Sequence, residues 1–206
     1  MKKFLTNKLF LFFILFIIMI ILTVFQSVYQ DYTSIIDFDL TVIHNSLQLV
    51  SNKYPDFDDL TSYSHFLTYG LFYKAFALFD HNLITNIDLL IKLKNPELIL
   101  QKLYIISKIA NATIHFITIV FIYKLLGIFK IDEHYKILTI FFIILSETFL
   151  ANFIILRSDI VAVCYFFISA YYLLDIIRSS KITNLFLVSL FMILSLLAKV
   201  QIIFLY

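Results

Sequence analysis

The sequence is poor in the residue types on which several common functional sites depend. Its single cysteine, Cys164, lies inside an apolar run, so neither a disulfide nor a cysteine metal site can form within the chain. With only two glycines and two prolines, the sequence contains no Gly-rich phosphate loop and no Gly-x-Ser-x-Gly nucleophile motif. The histidines lack metal-ligand spacing such as His-Glu-x-x-His, so each is expected to be structural or solvated. They are His44, His65, His81, His115 and His134.

Charged residues are also scarce. Of the 206 residues, 15% are charged and 62% are apolar, whereas a soluble domain is about half apolar and about a quarter charged. This excess of apolar residues is too large for a buried core and indicates that lipid is part of the solvent. The net charge of +2 is too small to indicate a nucleic-acid partner. The composition therefore predicts an all-α, multi-pass transmembrane bundle.

Five apolar segments are long enough to cross a hydrocarbon core of about 30 Å at about 1.5 Å per residue. The first follows three lysines and lacks a signal-peptide cleavage site, which predicts a signal anchor with a cytoplasmic amino end. The basic residues of the later connections agree with the same orientation. The predicted spans are residues 9–30, 103–126, 137–156, 160–177 and 183–206.

The predicted first loop, residues 31–102, holds most of the polar chemistry. It contains nine acidic residues against five lysines, which favours an extracytoplasmic location. Apolar residues at helical spacing predict an amphipathic helix over 40–50. Residues 66–79 are rich in Phe, Tyr and Leu but too short to span, so they predict a helix in the membrane interface with its rings at headgroup level.

Two aspartates, Asp37 and Asp39, open this loop just beyond the first span. A carboxylate at this place could act as general base on an acceptor hydroxyl, or could hold a divalent cation through its oxygens. Asp39 has an alternative role as the N-cap of the helix that follows. Asp37 is therefore the better catalytic candidate.

Further charged residues lie in or beside the later spans. Arg157 and Asp159 form a tight external turn, and an arginine can bind the phosphate of a lipid-linked donor through two hydrogen bonds; a plain exposed turn is the alternative. Lys199 would add positive charge there, or extend to the headgroups, as Lys108 is expected to do. Glu147, in the middle of the third span, either serves an ion path or pairs and packs between helices.

Short motifs follow one another along the chain: an acidic opening of the first loop, a Pro-Asp turn, an aromatic run, an Arg-x-Asp turn and a late Leu-Ala-Lys. They read Asp37-Phe38-Asp39, His44-Asn45, Tyr54-Pro55-Asp56, Tyr63-Ser64-His65-Phe66-Leu67-Thr68-Tyr69, Arg157-Ser158-Asp159, Phe166-Phe167, Tyr171-Tyr172 and Leu197-Ala198-Lys199. In this order they resemble the amino-terminal part of the polytopic GT-C class glycosyltransferases, such as mannosyltransferases and aminoarabinose transferases, which use polyprenyl-phosphate sugar donors. Asp-Phe-Asp stands where some members have Asp-Glu, and the loop lacks the usual glycine and paired prolines.

The resemblance implies transfer of a sugar from a lipid-linked donor to an extracytoplasmic acceptor at the inner (plasma) membrane. It implies that Asp37 or Asp39 is the catalytic base or lies beside it. It also implies substrate-binding roles, with or without a divalent cation at the aspartates. The residues concerned are Arg157 and Lys199 for the lipid phosphate, with Asp159 and His65 beside them.

One alternative from another functional class stays open. It is a non-enzymatic transporter or envelope-assembly subunit in which Glu147 serves a proton or ion path. The sequence shows one membrane unit over residues 1–206, and it ends in an apolar run without a polar tail. We therefore expect the amino-terminal part of a longer protein, inactive by itself.

Overall fold

The computed structural model describes residues 2–29, 37–55, 62–179 and 182–199. These ranges are helical and contain no β-strand, which confirms the predicted all-α class. A short 3₁₀ turn, Ile182–Asn184, precedes the last helix. The helices are α1 (Lys2–Tyr29), α2 (Asp37–Val50), α3 (Tyr63–Ala77), α4 (Ile87–Ile91), α5 (Glu97–Ile128), α6 (Glu133–Leu145), α7 (Glu147–Ile154), α8 (Ser158–Ser179) and α9 (Leu185–Ala198).

Two helices, α5 and α8, are long and apolar enough to cross a membrane. They correspond to the predicted spans 103–126 and 160–177. The helices α6 and α7 meet the same criteria together, but they are bent by 56° where they join, so the predicted span 137–156 contains a sharp bend. Within the described residues, α9 and the Phe12–Phe25 part of α1 are shorter apolar helices.

The two outermost predicted spans, 9–30 and 183–206, both reach into residues outside the described ranges. Their described parts are helical and apolar. That they cross the bilayer stays a prediction.

Ser146 explains the break between α6 and α7. Its backbone is extended, with φ −67° and ψ 140°, and its hydroxyl accepts a hydrogen bond from the Phe149 N–H at 3.3 Å. This is the bond by which a serine caps the start of a helix. The predicted span with Glu147 near its middle is therefore bent at the residue before Glu147, and that it crosses the bilayer stays a prediction. Glu147 is exposed in the first turn of α7, where the helix dipole favours a negative charge.

The central element is α5, which packs against α1, α3 and α8. Its 32 residues extend over about 48 Å at about 1.5 Å per residue, which exceeds a hydrocarbon core of about 30 Å. It begins at Glu97, six residues before the predicted start of the span. The helix is thus long enough for its amino-terminal turns to extend beyond the hydrocarbon core and to pack against the first loop.

The helices α8 and α9 form an antiparallel hairpin. The Ser195 hydroxyl of α9 donates to the Ala162 carbonyl of α8 at 2.9 Å. The Ser169 hydroxyl of α8 donates to a carbonyl of α9 in the same register. This register places the start of α8 beside the end of α9. As a result Asp159 forms an ion pair with Lys199, forty residues away.

The first loop folds into α2, α3 and α4 before α5 begins, and α2 confirms the predicted helix over 40–50. The rings of Phe66, Tyr69 and Tyr73 in α3 are buried against the rest of the bundle and do not face lipid. That α3 lies in the membrane interface stays a prediction. The Tyr73 hydroxyl finds a buried partner in the Ser107 hydroxyl of α5, at 2.5 Å. The acidic turn that follows Pro55 lies outside the described residues.

Candidate functional site

A buried ion pair lies where the first loop meets the bundle. The Oδ2 atom of Asp39, in the first turn of α2, accepts a hydrogen bond from the Lys108 ammonium of α5 at 2.8 Å, and each side chain is 2% exposed. The other carboxylate oxygen, Oδ1, accepts the backbone N–H of Leu156 at 2.9 Å. Asp39 lies inside α2 and bonds to other segments, so the alternative role as N-cap of its own helix is wrong.

Lys108 does not extend toward a headgroup region, and that prediction is wrong too. Its ammonium donates to Asp39 and to the Ile154 carbonyl, and it lies 5.0 Å from the centre of the Tyr104 ring. A cation over a tyrosine ring is stabilised by the negative face of the ring. Lys108 is therefore paired inside the protein, where α2 packs against α5.

One turn further along α5, Asn111 binds the end of α7. Its side-chain amide donates to the carbonyls of Asn152 and Phe153, each at 3.0 Å, and its carbonyl oxygen accepts the Tyr69 hydroxyl at 3.2 Å. The last carbonyls of an α-helix have no partner within the helix. Asn111 and Lys108 supply those partners from a neighbouring helix.

Arg157 and Asp159, the second group of charged residues predicted to bind a substrate, lie where α7 is connected to α8. Arg157 is exposed, and Asp159 is bonded to Lys199. In this ion pair the side chains are about one-third exposed, 34% for Lys199 and 37% for Asp159. Two of the residues expected to act on a substrate therefore contact each other directly.

His65 lies beneath the same connection. It is 1% exposed, and its ring packs against the rings of Phe66 and Tyr69, with centroids 5.6 and 4.9 Å away. Burial lowers the pKa of His65 to about 3, although the nearby Asp159 carboxylate and the Arg157 backbone oppose this shift. Neither ring nitrogen reaches a partner in hydrogen-bonding geometry, so the Arg157 backbone is near but not bonded. His65 is thus neutral near pH 7.

The residues predicted from the sequence are brought together at this one place. His65 lies near Asp159 and the Arg157 backbone, Lys199 pairs with Asp159, and Asp39 is bonded to the residue before Arg157. Asp37 belongs to the first turn of α2, as Asp39 does, but its side chain lies outside the described part of the chain. The catalytic and substrate-binding roles stay predictions.

An open cleft of about 550 Å³ begins at the same connection. Arg157 and Asp159 stand at its charged end, and Ile122, Ile143 and Phe167 line its apolar part. Phe167 is eight residues beyond Asp159 on α8, which is about 12 Å along the helix. The wall that α8 contributes therefore changes from charged to apolar along the helix, while Ser146 and Thr148 add hydroxyl groups from the other side.

The donor set at Asp39 does not fit a divalent cation. Both oxygens already accept hydrogen bonds, one of them from the Lys108 ammonium, whose charge would repel a second cation. Among the described residues there is no group of three or more His, Cys, Asp or Glu side chains placed to hold a metal ion. A cation held by Asp37 stays a prediction.

Two residues of this arrangement, Lys108 and Asn111, were not predicted from the sequence. A signal for them exists, because polar residues recur at helical spacing within the otherwise apolar α5. Polar side chains inside an apolar span usually face a bundle interior and bind a partner. That rule predicts a partner for Lys108, although not which one.

No protein-family model, no curated protein and no solved structure matches the chain.

Proposed function

We propose that the chain is an integral membrane glycosyltransferase that transfers a sugar from a polyprenyl-phosphate donor to an extracytoplasmic acceptor. The observation that carries this proposal is the cleft that starts at Arg157 and Asp159 and becomes apolar along α8. A polyprenyl phosphate has the same division, with an anionic head and an apolar chain. The volume of the cleft, about 550 Å³, is also within the range of about 300–1,000 Å³ that is usual for ligand sites.

In this proposal the basic residues hold the phosphate that leaves. Arg157 is exposed at the charged end of the cleft, where its guanidinium can bind phosphate oxygens through two parallel hydrogen bonds. Lys199 neutralises Asp159, so this carboxylate does not oppose the binding of a phosphate by Arg157. Binding the phosphate as its negative charge develops lowers the barrier to cleavage of the bond between sugar and phosphate.

The acceptor needs a base on the same side of the cleft. Asp37 is the candidate, because the resemblance implies a base in the acidic opening of the first loop and Asp39 is already bonded to Lys108 and to the Leu156 N–H. Its carboxylate would take the proton from an acceptor hydroxyl as that oxygen attacks the sugar. Asp39 is occupied by Lys108, so we assign it a positioning role and not that of the base.

Binding of the donor is the first test. The chain is placed in lipid nanodiscs, and its affinity for a polyprenyl phosphate is measured by photo-crosslinking competition. Arg157→Gln removes a charged hydrogen-bond donor, worth about 1.5–3 kcal/mol, so affinity should fall about tenfold to a hundredfold. The control is Arg178→Gln, which removes an exposed arginine in the last turn of α8. Equal affinity in the wild-type chain and in Arg157→Gln would contradict the proposal.

Transfer is the second test. Sugar transfer from the lipid-linked donor is measured in membranes of the source cells, with Asp37→Asn replacing the wild-type sequence. We expect loss of transfer with retained donor binding. Asp88→Asn removes another aspartate of the first loop, one that pairs with Lys53 on the surface, and should leave transfer unchanged. Full transfer with Asp37→Asn would remove Asp37 as the base.

A transporter or envelope-assembly subunit is the second candidate function. The break at Ser146 favours it, because transporters often build ion sites at the ends of broken helices. Glu147 opens the second half of that break. This candidate predicts solute flux that is lost with Glu147→Gln and is indifferent to Asp37→Asn, the opposite of the pattern expected for the glycosyltransferase.

A further inference from the structure

The end of α7 is capped by side chains of α5. Of the last carbonyls of α7, that of Ala151 accepts the Ile155 N–H at 3.1 Å within the chain's own turn. Those of the next three residues accept from α5: two from the Asn111 amide, and that of Ile154 from the Lys108 ammonium. The positive charge also lies at the negative end of the helix dipole, where it is favoured.

The Asp39 carboxylate holds the next part of the same backbone. It neutralises Lys108 with one oxygen and accepts the Leu156 N–H with the other. One ion pair therefore fixes a carbonyl at residue 154 and an N–H at residue 156. The peptide units between these two groups are held at both ends immediately before Arg157.

The orientation of the Asn111 amide is fixed as well. Its oxygen accepts the hydroxyl of Tyr69, a fully buried residue of α3, so its nitrogen is left to face α7. The connection between α7 and α8 is three residues long, and its ends are thus held by both α2 and α5. Arg157 is the last of these three residues.

We propose that Lys108, with Asp39 and Asn111, is a positioning residue that holds the α7–α8 connection so that Arg157 stands at the charged end of the cleft. A buried ion pair is seldom required for stability alone, because apolar residues of similar volume often replace one without loss. Here Lys108 also binds the last carbonyl of α7 and Asp39 binds an N–H of the connection, which an apolar pair could not do. The link to donor binding rests on the proposed function, whereas the hold on the backbone does not.

The first measurement concerns the backbone alone. Ser158→Cys introduces a half-buried thiol directly after Arg157, and the native Cys164 is buried, so the wild-type chain serves as the labelling blank. The rate of reaction with a water-soluble thiol reagent is compared with and without the added pair Asp39→Asn and Lys108→Met, which removes both charges together. Release of the connection should raise the rate by about tenfold or more, since local opening exposes the part of the half-buried thiol that the folded chain covers.

The second measurement asks whether the hold serves Arg157. In the wild-type background Arg157→Gln should weaken polyprenyl-phosphate binding about tenfold or more, whereas in the Asp39→Asn/Lys108→Met background it should cost less than about threefold. Lys108→Arg with Asp39 retained keeps a cation beside the carboxylate, so Arg157→Gln should again cost most of the wild-type effect in that background. If the doubly substituted chain does not fold, Asn111→Ala serves instead, because it leaves the ion pair intact.

The outcomes separate the two proposals. An unchanged labelling rate overturns the hold on the backbone. A faster rate with an undiminished effect of Arg157→Gln overturns the positioning of Arg157. If the wild-type chain binds no polyprenyl phosphate, the proposed function fails, while the labelling rate still decides whether Lys108 and Asp39 fix the connection.

Discussion

The Asp39 carboxylate and the Lys108 ammonium lie 2.8 Å apart, although 69 positions separate them in the sequence. Asp39 belongs to the first loop and Lys108 to the central helix α5, so the pair joins the loop to the bundle. With each side chain 2% exposed, the charges interact in a medium far less polarisable than water. Neither charge is therefore tolerated there without the other.

This mutual dependence gives the first prediction. Lys108→Met alone leaves a buried carboxylate without its cation and should destabilise the chain by about 3–5 kcal/mol. Asp39→Asn together with Lys108→Met should restore a large part of that loss, because no buried charge then remains. Melting in detergent, followed by circular dichroism, measures both variants.

The matched control for the ion pair is the surface pair of Lys53 and Asp88, whose side chains are 43% and 52% exposed. Exposed pairs contribute little because water and salt screen them. Lys53→Met should therefore leave the melting temperature almost unchanged. Equal effects of Lys53→Met and Lys108→Met would refute the assignment of Lys108 to a buried pair.

The packing of α2 on α3 gives the second prediction. A Cβ atom at Gly70 would lie well inside van der Waals contact of the Val50 Cγ1 atom and 3.0 Å from the Ser46 carbonyl oxygen. Gly70→Ala should therefore destabilise the chain by about 1–3 kcal/mol, as overpacking does, despite the better helix propensity of alanine. Thermal melting in detergent measures the effect.

Two further variants test the cause of that loss. Val50→Ala removes the methyl group nearest to the new atom and should recover part of the stability of Gly70→Ala. Gly127→Ala is the matched control, because its Cβ would meet only the Lys136 ammonium, at an ordinary 3.7 Å. A stabilised Gly70→Ala variant would mean that α2 and α3 are not in close contact at this residue.

The sequence predicts local features of this chain better than contacts between distant segments. Apolar length identified α5 and α8, and helical spacing identified α2, because both signals lie within one element. Arg157 and Asp159 are also predictably close, because only one residue separates them in the sequence. The break at Ser146 was missed, although a serine followed by Glu147 is a local signal for a helix start.

The partner of a buried charge depends on how distant helices pack, and no local pattern supplies it. Lys108 near the end of an apolar span is equally consistent with a headgroup contact and with an acidic partner. Lys108 in fact pairs with Asp39. Asp39 lies on a helix of the long first loop, and the sequence does not predict which part of the bundle that helix contacts. The same reasoning applies to Asn111, whose partners are backbone carbonyls of α7.

The third prediction concerns pH and His65. Its pKa is about 3 in the folded chain and about 6.5 when exposed, so between these values the unfolded chain binds the additional proton. Stability is then constant above about pH 6.5 and falls as the pH decreases, by about 1.4 kcal/mol per unit and by up to about 3 kcal/mol at pH 4. Melting temperatures from pH 8 to pH 4 measure this dependence.

Comparison with two variants isolates the contribution of His65. His65→Phe keeps a ring between Phe66 and Tyr69 but cannot bind a proton, so its stability should fall less on acidification. His134→Phe removes an exposed histidine and should keep the wild-type dependence on pH. Parallel curves for the wild-type chain and His65→Phe would show that His65 binds a proton as readily in the folded chain as in the unfolded chain.

The fourth prediction concerns the start of α7, which shapes the wall of the cleft. The Ser146 hydroxyl accepts the Phe149 N–H, so Ser146→Ala should cost about 1 kcal/mol, and Ser146→Thr should keep most of the stability. Ser62 is the matched control, because it precedes α3 without any side-chain capping bond, and Ser62→Ala should change little. Since Ser146 and Phe149 also line the cleft, Ser146→Ala should weaken polyprenyl-phosphate binding together with stability. Equal melting temperatures for Ser146→Ala and Ser62→Ala would show that the break between α6 and α7 does not depend on this cap.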